Sequence, residues 1–340
     1  MRGIAHIALR ARHAPDALLR GLDELFDRAH ARLCGDGALA ALLLAPALTV
    51  LVVFGLVPLL GALYMSLFDY ELLSAPFAGL GKYAQAVRDP DFWSSVRVTL
   101  YYVIGTVPAT LLFSFLAAYA LRRIAWGRGV LRTLFFLPYI TSVVAAAMVW
   151  RALLNHPEGV ANLIMRYAGL PPQQWLIEAR GVLHLISGGW IGPEIGPSLA
   201  LCCVILFDIW HGSGFMIVVF LAGLAAVPRE LEEAARIDGA GPVQVVRKIT
   251  LPLLSPTIFF LAVVGTIRAF QAFNSFYALT QRPDKALFRP TTNMILFIYE
   301  KLYQDHDLGY GAAVAALFTL AIVLLTVIQW RVVGKRVHYS

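Results

Sequence analysis

Charge is scarce in this sequence. Asp, Glu, Lys and Arg make up 14% of its 340 residues, against about 25% in ordinary globular proteins. Cysteine is almost missing: Cys34 stands near the N-terminus, and Cys202 and Cys203 sit side by side in an apolar run. No CxxC or metal-ligand spacing accompanies them, which excludes a disulfide scaffold and a zinc site and leaves them as small apolar filler. No GxxxxGK[ST] stretch occurs, so the chain has no such loop for nucleotide phosphates. No RNA- or DNA-binding motif occurs either, although the net charge is +7. Apolar residues, by contrast, are abundant: 59% of the chain, with a mean hydropathy of +0.70. A soluble fold cannot hide that much apolar surface, and disorder needs the opposite composition. The chain reads as an all-α membrane protein with several spans.

A helix needs about 20 apolar residues to cross a bilayer. Six runs supply them, at 38–68, 98–121, 133–150, 195–227, 251–281 and 308–330, with Asp208 interrupting the fourth and Arg268 the fifth. Long runs without polar alternation predict helices rather than barrel strands. Pro46, Pro58, Pro108, Pro138, Pro252 and Pro256 are tolerable there because neighbouring helices can satisfy the freed carbonyls. An even number of spans places both termini on one side. The two tails and the segments 122–132 and 229–248 carry 17 of the 28 basic residues, whereas 69–97, 151–194 and 282–307 are near neutral. The excess of Lys and Arg predicts that both termini are cytoplasmic.

Residues 1–37 do not read as a signal peptide, because the apolar run after them is too long and lacks a cleavage pattern. Leu18, Leu22, Leu25, Phe26, Ala29 and Leu33 share one helical face there. That predicts a cytoplasmic amphipathic segment lying at the membrane interface. Residues 38–331 are expected to form one transmembrane domain and 332–340 a cytoplasmic tail.

The segment 228–252, between the fourth and fifth runs, is the most informative. Pro228 suits the start of a helix, and Glu230, Glu232 and Glu233 come early in it, where the macrodipole favours acids. Leu231, Ala234, Ala235 and Ile237 give a mostly apolar, small-residue surface. Gly239 can take a left-handed cap. A second short helix from Pro242 carries Val243, Val246 and Ile249, and Leu251-Pro252 leads into the fifth run. The expectation is a helix–turn–helix on the cytoplasmic face.

This segment resembles the EAA loop of ABC importer permeases: Glu233-Ala234-Ala235, Gly239, Ile249 and Leu251-Pro252 keep every spacing of that family's pattern. Weaker similarities follow in the family's order. They are Gly79-Leu80-Gly81-Lys82-Tyr83, Asp89-Pro90-Asp91-Phe92-Trp93, Leu137-Pro138, Gly159-Val160-Ala161-Asn162 and Leu308-Gly309-Tyr310-Gly311. The similarity covers roughly 40–335 and is closest to the carbohydrate-type permeases of the maltose and glycerol-3-phosphate kind. It departs at 280–284, where the family often has Gly-Gly-Pro, and at Asn274, where an acid is common.

The resemblance implies a type I importer permease fold with six spans in the bacterial inner membrane. It implies a non-catalytic subunit that binds no cofactor, ATP and Mg being used by partner subunits. The implied partners are a second, different permease, two ATP-binding cassette ATPases that receive the EAA loop, and an extracytoplasmic solute-binding protein. The solute implied is a carbohydrate or polyol, with glycerol-3-phosphate or another phosphorylated solute as the alternative.

Ionisable groups inside a membrane usually mark a pathway. Asp208, His211, Gly212 and Phe215 fall at i, i+3, i+4, i+7. Arg268, Gln271 and Asn274 fall at i, i+3, i+6, which on a continuous helix keeps them close to one face. By distance from the EAA segment these two sets match the cavity-lining helices of the maltose-type permeases. Asp208 and Arg268 are expected at similar depth, as a structural ion pair or as partners of one solute. A secondary transporter would instead show inverted repeats. An intramembrane enzyme would need an acid or nucleophile beside Asp208 and His211. Neither is found.

Overall fold

The computed structural model describes residues 36–70, 76–124, 127–193, 195–280 and 291–332. The amphipathic face expected within 1–37, the 281–284 stretch and the tail from 333 onward lie outside the described residues. The chain divides into two compact units, one ending at Tyr64 and one beginning at Met65. The first contains α1 (Ala40–Met65, to its last residue but one), a single apolar helix long enough to cross a bilayer.

The second unit is built on two long helices, α3 (Pro90–Arg123) and α8 (Leu199–Ala226), which pack along each other. Their ends are set locally. Asp89 caps α3 by accepting from the Asp91 amide at 2.8 Å, Pro90 sits in the first turn, and Arg122 and Arg123 occupy the last. That is the polarity the helix dipole favours. Ser198 caps α8 through the Leu201 amide at 3.1 Å. Two hydrophobic clusters share these helices. One holds Tyr102, Phe207, Phe276 and Tyr310, and the other holds Phe115, Met216, Phe220, Leu224 and Leu261.

Around them lie α2 (Gly81–Arg88), α4 (Arg128–Ile140), α5 (Val143–Leu153), α6 (Val160–Tyr167) and α7 (Val182–Ile186). After α8 come α9 (Arg229–Ile237), α10 (Pro242–Leu253), α11 (Ser255–Phe270), α12 (Asn274–Thr280), α13 (Met294–Tyr299) and α14 (Leu308–Val332). The helix α4 approaches the α8 backbone so closely that a Cβ on Gly214 would lie 2.5 Å from the Phe135 carbonyl oxygen.

Two of the six apolar runs are not single straight helices. The third is divided between α4 and α5, which meet at 95° just beyond Pro138. The fifth bends by 70° at Leu254, with Pro256 in the first turn of the next helix, and it stops altogether at Phe270. Residues 271–273 are not helical, and α12 resumes at Asn274. The single straight helix expected over 251–281 is therefore corrected to the end of α10, then α11 and, after a break, α12. Among the described residues four helices, α1, α3, α8 and α14, are long and apolar enough to span alone, and counting each bent pair as one span raises the number to six.

Three of the short stretches singled out in the sequence meet in space. Lys82 contacts Asp69 at 2.7 Å and Asp307 at 3.2 Å, and the Tyr310 hydroxyl donates to Asp89 at 2.6 Å. Burial lowers the Lys82 pKa, but its bonds to Asp69 and Asp307 outweigh that and hold it above the ordinary lysine value. Gly309 lies against the Phe68 carbonyl where a Cβ would clash.

Candidate functional site

The break after α11 opens a cavity of about 270 Å³. All seven residues singled out from the two runs line it: Asp208, His211, Gly212 and Phe215 from α8, Arg268 from α11, and Gln271 and Asn274 from the break and the start of α12. The helical spacing that motivated the second set does not hold, since the helix ends before Gln271. The set converges because the chain turns there. No glycine or proline marks the turn. Instead Asn293, which caps α13 through the Leu296 amide, also donates to the freed Ala272 carbonyl at 2.5 Å. A backbone break at membrane depth needs such a partner.

Asp208 and Arg268 do not form an ion pair. Asp208 accepts a hydrogen bond of 2.7 Å from the Tyr102 hydroxyl of α3. Tyr102 is itself buried and packed edge-on to Phe276 at 4.8 Å. Arg268 donates to the Tyr139 hydroxyl at 3.3 Å, and its guanidinium lies 5.4 Å from the Tyr139 ring centre and 5.9 Å from that of Phe215. Those two rings are stacked, 5.5 Å apart. Each charge is thus held by a tyrosine from another helix, and direct pairing is corrected to two separate tyrosine contacts. His211 stacks on Phe207 and comes within 3.4 Å of the Thr141 carbonyl, at the junction of α4 and α5. Gln271 and Asn274 are exposed, and their side-chain amides make no hydrogen bond among the described residues. The cavity therefore presents a carboxylate, a guanidinium, two open amides and aromatic faces. Among the described residues no group of His, Cys, Asp or Glu is placed to hold a metal.

The segment 228–252 is the helix–turn–helix expected from its sequence. α9 ends at Ile237, Gly239 takes φ +84°, and the Ala240 amide closes back on the Ala235 carbonyl at 2.9 Å. The Gln244 side chain then caps α10 through the Gly241 amide at 3.0 Å. Ile249 lies in a π-helical turn, Val246–Thr250, that runs into Leu251 and Pro252. Glu233 and Ala234 are exposed and Ala235 is half-buried. Ile237 and Val243, 86% and 75% exposed, extend an apolar surface beside them.

Sequence reasoning missed what anchors this segment. Glu232 is buried and accepts from Arg122, at the end of α3, at 2.8 Å and from the buried Thr250 hydroxyl at 3.1 Å. One signal was present: Glu232 and Glu233 are adjacent, so a helix turns them about 100° apart and they cannot share a face. Tyr102 and Tyr139 carried no signal, being 106 and 129 residues from the charges they hold.

Comparison with known proteins places this geometry. The family described as "Binding-protein-dependent transport system inner membrane component" matches residues 99–339. The trehalose/maltose transport system permease protein MalF of Thermococcus litoralis is 30% identical over 87% of this chain and 94% of its own length. The sn-glycerol-3-phosphate transport system permease protein UgpA of Agrobacterium fabrum is 31% identical over 88% and 96%. A chain of a bacterial ABC transporter that imports the acidic polysaccharide alginate superposes with a TM-score of 0.72 at 20% identity, over 91% of this chain and 98% of that one. With spans, break and loop arranged as they are, the chain belongs to the inner-membrane permease components of binding-protein-dependent ABC importers in the sugar and glycerol-phosphate group, as a non-catalytic, multi-pass subunit.

Proposed function

We propose that this permease forms half of a translocation path for a carbohydrate or polyol-like solute, and that the cavity at the α11–α12 break is where the solute passes. The convergence of six polar and aromatic residues and Gly212, from three helices and a break, on one space carries this reading. Hydroxyl groups are matched by the open side-chain amides of Gln271 and Asn274 and by Asp208, and sugar ring faces by Phe215 and Phe273, which line the same space. Asp208 and Arg268 would serve as partners of one solute rather than of each other. A phosphorylated solute is the second reading. It is favoured by Arg268, which is exposed and meets no carboxylate among the described residues, and by the glycerol-3-phosphate permeases among the relatives.

In this proposal the surface of Glu233, Ala234 and Ala235, set by Gly239, Ile249, Leu251 and Pro252, receives the ATP-hydrolysing subunits. A second permease and a solute-binding protein complete the complex, and both termini lie in the cytoplasm. The full complex, reconstituted with its binding protein, should take up the solute that co-purifies on that protein, and only with ATP. Asp208→Asn should reduce uptake of a neutral solute several-fold with assembly intact. Arg268→Gln should do so for a phosphorylated one. Glu233→Lys should abolish solute-stimulated ATP hydrolysis. A cysteine at Gly188, but not at Gly241, should react with an impermeant thiol reagent from outside. Uptake without ATP, or normal transport by all three variants, would overturn the proposal.

A further inference from the structure

Arg97 is one residue outside the apolar run 98–121 and sits on an unusual part of α3. Along that helix Trp93, Arg97, Leu100, Ile104 and Leu112 are exposed. The first four, at spacings of four, three and four, form one outward stripe. Except for Arg97 the stripe is apolar. The Trp93 ring is fixed at its top by donation from Nε1 to the Val87 carbonyl at 2.8 Å.

Depth follows from helix geometry. Arg97 and Arg122 are 25 residues apart on α3, about 38 Å along a straight axis. A hydrocarbon core is about 30 Å thick, and about 40–45 Å with its headgroups. The two arginines therefore sit in opposite headgroup layers, with the exposed apolar stripe running into the acyl region from Arg97.

Arg97 also lines a cavity of about 310 Å³ between α3 and the segment before α8, together with Ser94, Tyr101, Arg180 and Ser198. Arg180 is neutralised by Glu178 through bonds of 2.8 and 2.7 Å. Arg97 makes no hydrogen bond or ion pair among the described residues, and of the described residues lining the cavity it alone carries a charge without a partner. The wall opposite α3 is braced: Gly181 bridges to Ser198, and the Gly181 amide donates to the Pro193 carbonyl at 2.8 Å. Trp190, carried on the same segment, is 94% exposed, and tryptophan at headgroup level is typical of a bilayer interface.

We propose that this cavity binds one anionic phospholipid, its phosphodiester on Arg97 and the hydroxyls of Ser94, Tyr101 and Ser198, and an acyl chain along Leu100 and Ile104. A zwitterionic headgroup brings its own cation and leaves the Arg97 charge unmet. A soluble phosphate would satisfy Arg97 but leave the stripe bare.

The test uses the complete transporter, extracted from vesicles of equimolar phosphatidylglycerol and phosphatidylcholine, with retained lipids counted by native mass spectrometry. Arg97→Gln should lose one phosphatidylglycerol per copy of this permease. Arg97→Lys should keep it, as should Arg166→Gln, which removes an exposed charge outside the cavity. In the unaltered protein, phosphatidylglycerol with a photoreactive acyl chain should label the peptide holding Leu100 and Ile104. Equal retention by Arg97→Gln and the unaltered protein would overturn the proposal. So would displacement of the bound species by millimolar inorganic phosphate, or photolabelling that vanishes when the solute-binding protein is added.

Discussion

The 228–252 segment and the cavity at 268–275 are built on opposite principles. The first is a chain of local decisions: an acidic first turn, a left-handed glycine, a capping glutamine, a proline. The second comes from a helix that stops at Phe270 with no local stop signal and is rescued by Asn293 from another helix. Local rules place the surface that presents Glu233. Only tertiary contacts place Tyr102 on Asp208 and Tyr139 on Arg268. A surface set by neighbours in sequence can be altered one residue at a time. A site set by distant helices changes when any of them moves.

The largest expected effect tests whether the 228–252 segment is as local as it looks. Arg122 and Glu232 are only 14% and 12% exposed, 2.8 Å apart. Glu232→Ala strands the guanidinium and should destabilise the purified complex by about 3–5 kcal/mol, whereas Glu232→Ala with Arg122→Ala should recover much of that. Thermal unfolding measures both. A loss below 1 kcal/mol in the single variant would show the segment held by its own turns and caps alone.

A pair of glycines sharpens the comparison at lower magnitude. In Gly214→Ala the new methyl meets the Phe135 carbonyl oxygen and the Phe136 backbone, so α4 must shift. Overpacking of that kind costs about 1–3 kcal/mol. In Gly239→Ala the methyl meets nothing within 4 Å, and only the φ of +84° resists it, at about 1–2 kcal/mol. The first should also alter access of a thiol probe at Phe215→Cys in the cavity. The second should leave that access unchanged.

The smallest effect concerns the segment leading into α8. Hydrogen bonds from Arg180 hold the Glu178 carboxyl below its ordinary value of 4.5. Its stabilising contribution is complete above pH 4.5 and is lost as pH falls through the lower folded value. Hydrogen exchange at the Leu199 and Ala200 amides, which donate to the Arg180 and Glu178 carbonyls, should show constant protection from pH 7 to 5, corrected for intrinsic rates, and weaken only below 4.5. The cavity's transport properties should not follow that profile.

The sequence by itself determined the membrane class, the position of each apolar run and the helix–turn–helix at 228–252, because hydropathy, caps and turn residues act over a few neighbours. It also brought the seven cavity residues to notice, Asp208 and Arg268 because charge is rare in such runs. It could not show that the fifth run breaks at 271–273, since Gln271, Ala272 and Phe273 include no glycine or proline and no charge follows Arg268 in the run. Nor could it show which groups hold the two charges, or that Glu232 faces inward to Arg122 and Thr250. Those choices belong to the tertiary structure. A buried polar group must find a partner, and which partner is within reach depends on how helices far apart in the chain are packed.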